Sequence, residues 1–336
     1  MQNEQNMALP SPGASPLPFA RSIGQIFLQR NAGMGVAILI AVFSVSPRLG
    51  CALLIGASTG NLVGHIFADL NSTASRSDLH GFNGALAALA AFTFIDNDSS
   101  SGAVAILAAI AASALSAAMT RALHVRNLPT YSGPAIIVTW AWLPFVPTIH
   151  SGGPAETDAW NVGAAGAFFN GPHVDAPALF ISFTSHVVAG LAPIVFATGL
   201  LAGSIILVGL VLTRPAAAFW ALIGSTLGLC LSAIAGAPEY AMVSGACGFN
   251  SALAAIATYR LGTGPAVAAM GLTCAFAWVG SMIGIPLLTA PFVVASWTVQ
   301  VFVERRQLAL LRKTLIHHES VSLALDASND KAQEVR

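Results

Sequence analysis

GFNGALAALA occupies Gly81–Ala90, and GFNSALAAIA occupies Gly248–Ala257. Eight of the ten residues are identical, 167 positions apart in a chain of 336. A second pair follows each copy. LPTYSGPAIIVTW (Leu128–Trp140) matches IPLLTAPFVVASW (Ile285–Trp297), with Pro129/Pro286, Pro134/Pro291 and Trp140/Trp297 identical and Ser132 opposite Thr289. The offset of this pair is 157, so the loop between the two motifs differs in length by ten residues between the copies. Gly35 pairs in the same way with Gly203, each beside the start of an apolar run. The chain is one module written twice.

The composition says what solvent the module folds in. Hydrophobic residues make up 55% of the chain and charged residues 8%, against roughly 25% charged in soluble domains. Ser101–Thr120, Pro215–Ala237 and Gly262–Val303 contain no Asp, Glu, Lys or Arg. Runs of ~20 apolar residues are what a spanning helix needs. The expected fold class is an all-α membrane protein of about ten spans, with the second copy inverted relative to the first because five spans per copy is odd. Inverted repeats place a site near the bilayer midplane between the halves. The expected organisation is a disordered tail over 1–18, a first repeat over 19–147, an extracytoplasmic linker over 148–182, a second repeat over 183–303 and a cytoplasmic tail over 304–336. No cleavable leader is expected in the polar, Pro-rich start.

Basic residues set the sides. Asn127–Thr213 carries no Lys or Arg but includes Glu156, Asp158 and Asp175, so this stretch's long loop is placed outside. The tail's Arg305, Arg306, Arg312 and Lys313 are placed inside, and five spans per half put Arg260, Arg214, Arg126, Arg121 and Arg76 on that side as well. Asp96, Asp98 and Glu239 fall outside. Arg48 breaks the pattern. Both termini are expected in the cytoplasm.

A proline inside a membrane helix frees the carbonyl four residues back, which lipid tolerates only against protein or a wet cavity. Two prolines five apart with Ser132 or Thr289 between them therefore gather backbone acceptors and a hydroxyl. The alternative is a kinked packing helix with the hydroxyl bonded to its own turn. Occurrence in both halves favours a pore lining.

The LPxxTxPF pattern at Ile285–Phe292, its partner at Leu128–Ala135, the two GFN[GS]xL motifs and GQIFLQRNAGMG (Gly24–Gly35) resemble the urea transporter family over roughly residues 20–303. The resemblance implies two inverted five-helix repeats plus two re-entrant half-helices around a central pore. It also implies a homotrimer with one pore per protomer, and passive movement of urea through a slot of aromatic rings and oxygens.

Carried over position by position, the resemblance makes Phe82 and Phe249 the ring faces, with Leu86 and Leu253 one helical turn later on the same side. Ser132 and Thr289 become the central oxygens. Gln25 becomes the polar mouth group of the first half, with Leu28 one turn away, and Phe196 the aromatic of the second re-entrant segment. A small planar amide suits such a slot: its faces match rings and its in-plane N–H groups match acceptors. Three positions depart from the pattern. Ala135 stands for Phe, Ser132 for Thr, and Pro193 aligns with Gln25 in a segment, Ser185–Gly203, that has no carboxylate. The polar deficit at that mouth opens other small amides or ammonia as solutes. His186 either compensates or is an interfacial histidine without a role. Asn83 and Asn250 hold helix ends or touch solute, Pro129 and Pro286 shape the approach, and Trp140 and Trp297 are anchors.

GASTG (Gly56–Gly60) spells a nucleophile elbow, yet it lies in an apolar helical run where Gly56, Gly60 and Gly64 space a close-packing face instead. A membrane hydrolase therefore has little support, and no enzyme activity is expected. An ion-coupled carrier would need a titratable relay in the membrane; Asp69 and His65 are its candidates. Cys51, Cys230, Cys247 and Cys274 read as buried hydrophobes, not disulfide or metal residues. No cofactor, metal or nucleic acid is implied. The expected partners are urea or a similar neutral solute and the lipid bilayer, in a bacterial inner membrane.

Overall fold

The computed structural model describes residues 16–67, 81–145, 176–283 and 285–334, all helix, turn or coil. The first half comprises α1 (Pro16–Gly24), α2 (Ala32–Val45), α3 (Pro47–Phe67), α4 (Gly81–Phe94), α5 (Asp98–His124) and α6 (Gly133–Trp142). The second comprises α7 (Ala176–Ala189), α8 (Gly199–Thr213), α9 (Pro215–Ile234), the short α10 (Glu239–Val243), α11 (Phe249–Thr258), α12 (Thr263–Ser281) and α13 (Ala290–Glu334). Helix α7 starts inside the stretch expected as linker, and α13 runs unbroken through the expected boundary at 304.

Four helices, α3, α5, α9 and α12, are long and apolar enough to cross a membrane alone. Two broken pairs pass together: α1 with α2, bent by 74°, and α7 with α8, bent by 81°. The chain is an integral, multi-pass membrane protein. The decapeptide helices are shorter. At 14 and 10 residues and about 1.5 Å per residue, α4 and α11 do not reach across ~30 Å of hydrocarbon.

Glycine decides how closely these short helices are held. A Cβ on Gly56 of α3 would stand 2.5 Å from the Gly84 carbonyl oxygen of α4; one on Gly224 of α9 would stand 2.4 Å from that of Ser251 of α11. The same contact recurs at the broken pairs, where Gly35 faces the Ala20 carbonyl and Gly203 faces that of Val188. Backbones meet where lipid offers no hydrophobic gain for association, and close van der Waals packing drives it. Gly56 and Gly60 thus lie against α4 while Ser58 is exposed in mid-helix, the opposite of a nucleophile elbow.

Both broken pairs turn in the same way. A one-turn 3-10 segment, Gln25–Phe27 or Ala192–Val195, ends on a left-handed residue, Leu28 or Phe196, each at φ 59°. Leu28 therefore sits at a bend in the chain, not one α-helical turn beyond Gln25. The prolines also act differently from expectation. Pro134 and Pro291 lie in the first turns of α6 and α13, where a missing N–H costs nothing. The carbonyls of Thr130 and Leu287 accept from Gly133 and Ala290 N–H groups, so no interior kink frees them. The change of direction falls instead on Tyr131 (φ 47°) and Leu288 (φ 52°). Left-handed backbone at such bulky residues is uncommon and is held by its surroundings.

Candidate functional site: a line of cavities between the halves

Asparagine fixes those two reversals. Asn83 Nδ2 donates to the Tyr131 carbonyl at 3.1 Å, and Asn250 Nδ2 donates to the Leu288 carbonyl at 3.0 Å. Asn83 also accepts from the Ala135 N–H at 3.2 Å and donates to Ser116 Oγ at 3.3 Å. The residue after each reversal is Ser132 or Thr289, and their hydroxyl oxygens lie 2.7 Å apart. The motifs also exchange bonds. Trp140 Nε1 donates to the Pro286 carbonyl at 2.8 Å, and Trp297 Nε1 to the Pro129 carbonyl at 2.7 Å. Each tryptophan thus satisfies a backbone acceptor of the other half.

The hydroxyl pair stands between two small cavities of about 10 and 20 Å³ that share Leu86, Ser132, Ile194 and Thr289 as lining. Each has room for about one water. Beyond the first, across Leu28 and Phe82, lies a cavity of about 380 Å³. Beyond the second, across Phe196, lies one of about 850 Å³. Shared walls place the four in a row, with wide ends and a waist closed by one hydrogen bond.

Of the residues singled out from sequence, Gln25, Leu28 and Phe82 line the 380 Å³ end together with Pro129, Arg30, Arg214 and Arg260. Leu86, Leu253, Ser132 and Thr289 line the waist, and Phe196 faces the other end. Gln25 is 8% exposed, and its Nε2 has no partner. Phe249 is buried but is not among the residues lining these four cavities. The second half puts Leu253 and Phe292 there instead. Asn83 and Asn250 line none of the four, Asn250 facing a separate cavity of about 300 Å³.

The urea transporter family profile matches residues 18–304. The chain belongs to the urea transporter family. Urea transporters move urea passively across membranes and are transporters, not enzymes. That identity fits the waist, which among the described residues holds rings, aliphatic side chains and three hydroxyls but no charge.

Several features escaped the sequence. Thr139, 1% exposed, lines the waist seven residues after Ser132, and Ser296 stands at the same spacing from Thr289. Two turns of helix at that spacing were the available signal. The polar group missing beside Pro193 comes from elsewhere in the chain: Asp96 and Glu239 line the 850 Å³ end with Pro193. Glu239 sits on α10, between α9 and α11. His186 lines none of the four cavities, and its Nδ1 has no partner among the described residues. His65 is exposed in the last turn of α3, and Asp69 lies outside the described residues, as do Arg76, Glu156, Asp158 and Asp175. Among the described residues no group of three or more His, Cys, Asp or Glu is placed to hold a metal ion.

Proposed function

We propose that this protein is a channel-like, passive conduit for urea and that the pore is the row of cavities through the Ser132–Thr289 waist. The observation that carries this is the 2.7 Å hydroxyl pair, formed by equivalent positions of the two copies, lining both of the small cavities at the waist of the row. Urea is planar, with N–H donors in its plane and little polarity across its faces. Ser132 and Thr289 oxygens accept from the donors while Phe82, Leu86, Phe292 and Ile194 cover the faces. A bare or hydrated ion finds no charge there to repay its lost water. Entry of urea requires the two hydroxyls to exchange their mutual bond for bonds to the solute, a near-even trade in hydrogen bonds.

We propose further that the halves are inverted five-helix repeats, each led by a re-entrant half-helix, α1 and α7. The reciprocal Trp140–Pro286 and Trp297–Pro129 bonds support a two-fold relation, since such an axis makes every contact occur twice. Arg214 and Arg260 share one mouth and Asp96 and Glu239 the other, which supports an arginine mouth facing the cytoplasm. A homotrimer rests on the family resemblance alone, whereas cytoplasmic termini rest on the distribution of Lys and Arg, and a bacterial inner membrane is the simplest assignment for such a chain.

Stopped-flow flux in proteoliposomes tests the channel. Urea flux is expected to saturate weakly or not at all and to ignore imposed proton and sodium gradients; accumulation driven by either gradient rejects it in favour of a coupled carrier. Running formamide, acetamide and ammonia beside urea ranks the solutes.

A further inference from the structure

The two ends of the pore differ in charge. The 850 Å³ end carries Asp96 and Glu239 beside Arg48, and Arg48 is paired with Asp98 at 2.7 Å. The 380 Å³ end is lined by Arg30, Arg214 and Arg260, and no carboxylate lines it among the described residues. None of the three has an ion pair among the described residues. They come from separate elements: Arg30 from the bend before α2, Arg214 from the junction of α8 and α9, and Arg260 from the turn after α11. Arg260 is oriented by Tyr259, whose hydroxyl is 3.3 Å from its Nε.

Urea, which is uncharged, has no use for three guanidinium groups. Arginine stays charged at every physiological pH, so three lining one cavity concentrate positive charge there. Guanidinium forks match the paired oxygens of phosphate and carboxylate. The remaining polar lining adds donors, namely Gln25 Nε2, unpartnered among the described residues, and the hydroxyl of Thr130. A volume of about 380 Å³ falls in the range of small-ligand sites, about 300–1,000 Å³. The cavity is therefore rich in donors and positive charge, and it ends at an uncharged waist that an anion cannot enter without shedding its water.

We infer that this vestibule binds a phosphate-bearing anion, which occupies the mouth without passing the waist and so slows urea entry. The inference goes beyond the conduit reading, because binding is measurable without transport. Free phosphate and a phospholipid headgroup present the same chemistry, and the experiment separates them.

Titration calorimetry on the purified full-length protein in a neutral detergent, with inorganic phosphate at fixed ionic strength, is expected to show saturable binding that chloride does not reproduce. Arg214→Gln and Arg260→Gln should each weaken it at least fivefold, while Arg306→Gln, exposed on α13 away from the cavity, should not. Each variant is first checked for an unchanged melting temperature; should either fail, Arg214→Lys and Arg260→Lys replace it, with a smaller loss expected because lysine lacks the fork. In phosphatidylcholine vesicles, phosphate is expected to lower urea flux at least twofold, an effect lost in the arginine variants. Loss of the phosphate effect when the vesicles contain phosphatidylglycerol identifies the headgroup as a competing occupant of the same site. Equal heats with phosphate and chloride, or undiminished binding in both arginine variants, overturns the proposal whatever the urea flux turns out to be.

Discussion

Ser132 Oγ and Thr289 Oγ1 lie 2.7 Å apart although 157 residues separate them in the chain. Each follows a left-handed residue whose carbonyl is held by an asparagine of the decapeptide helix. The two repeated motifs of the sequence therefore meet in one place, and the decapeptide positions the hydroxyl of its own half.

Replacing Thr289 by Val keeps the shape and removes the oxygen. A lost or unsatisfied hydrogen bond costs ~1–3 kcal/mol, so urea flux should fall about tenfold with folding intact. Ser132→Ala should act similarly, and the double variant should lose less than the product of the two, because one mutual bond is shared. Stopped-flow flux normalised to protein per vesicle checks this; wild-type flux in Thr289→Val removes the hydroxyl pair from the pore.

The asparagines should not be equivalent. Asn83 is fully buried and uses both ends of its amide, whereas Asn250 has one bond and an unpartnered Oδ1. Bonds between membrane helices are worth about 0.6 kcal/mol on average, up to ~1.7. Asn83→Leu should thus lower the melting temperature in detergent more than Asn250→Leu. Both should reduce urea flux, since each releases a reversal next to a waist hydroxyl. Equal thermal shifts would contradict the asymmetry.

Gly56 and Gly224 admit no side chain without moving a neighbouring backbone carbonyl 2.5 and 2.4 Å away. Gly56→Val and Gly224→Val should each abolish monodisperse purification or lower the melting temperature sharply. Gly271, on α12 with open space around its Cβ position, is the control. Gly271→Ala should be neutral or mildly stabilising, because Ala is the better helix former by about 1 kcal/mol. Size-exclusion profiles and thermal melts decide it.

Arg48 violated the side assignment read from basic residues, and its contacts give the reason. Its guanidinium donates to the Phe92 carbonyl in the last turn of α4 and to the Ile95 and Asp96 carbonyls just beyond it, lies 5.1 Å from the Phe92 ring centroid and pairs with Asp98. Asp98 is 79% exposed, so the ion pair itself is worth little, about 0–1 kcal/mol. The helix-end carbonyls are the larger interaction, being orphan acceptors at the negative pole of the helix. Arg48→Met should therefore destabilise clearly more than Asp98→Asn in thermal melts, and raising the salt concentration should reduce only the smaller effect.

The sequence by itself determined the solvent and the repeat, and it singled out the two hydroxyls that the fold brings together. Lipid demands long uncharged runs, and duplication leaves identical residues at fixed offsets; both are properties of the chain read in order. Its glycines announced close helix contact at Gly56 and Gly60, and Gly224 and Gly228 make the matching contacts in the second half. Which side chains line the row of cavities was decided only by the tertiary structure. Helical periodicity ranks the faces of a helix but does not say which neighbour covers each face, so Phe249, a repeat equivalent of Phe82, falls outside the lining while Thr139 and Phe292 fall inside it. The left-handed turns at Leu28, Tyr131, Phe196 and Leu288 were unreadable for a related reason: bulky residues disfavour that conformation, and only packing and the bonds from Asn83 and Asn250 impose it. The charge at each mouth was likewise assembled from segments far apart in the chain, Arg30 with Arg214 and Arg260, Asp96 with Glu239. Charges add by distance in space, and that distance exists only once the two halves have come together.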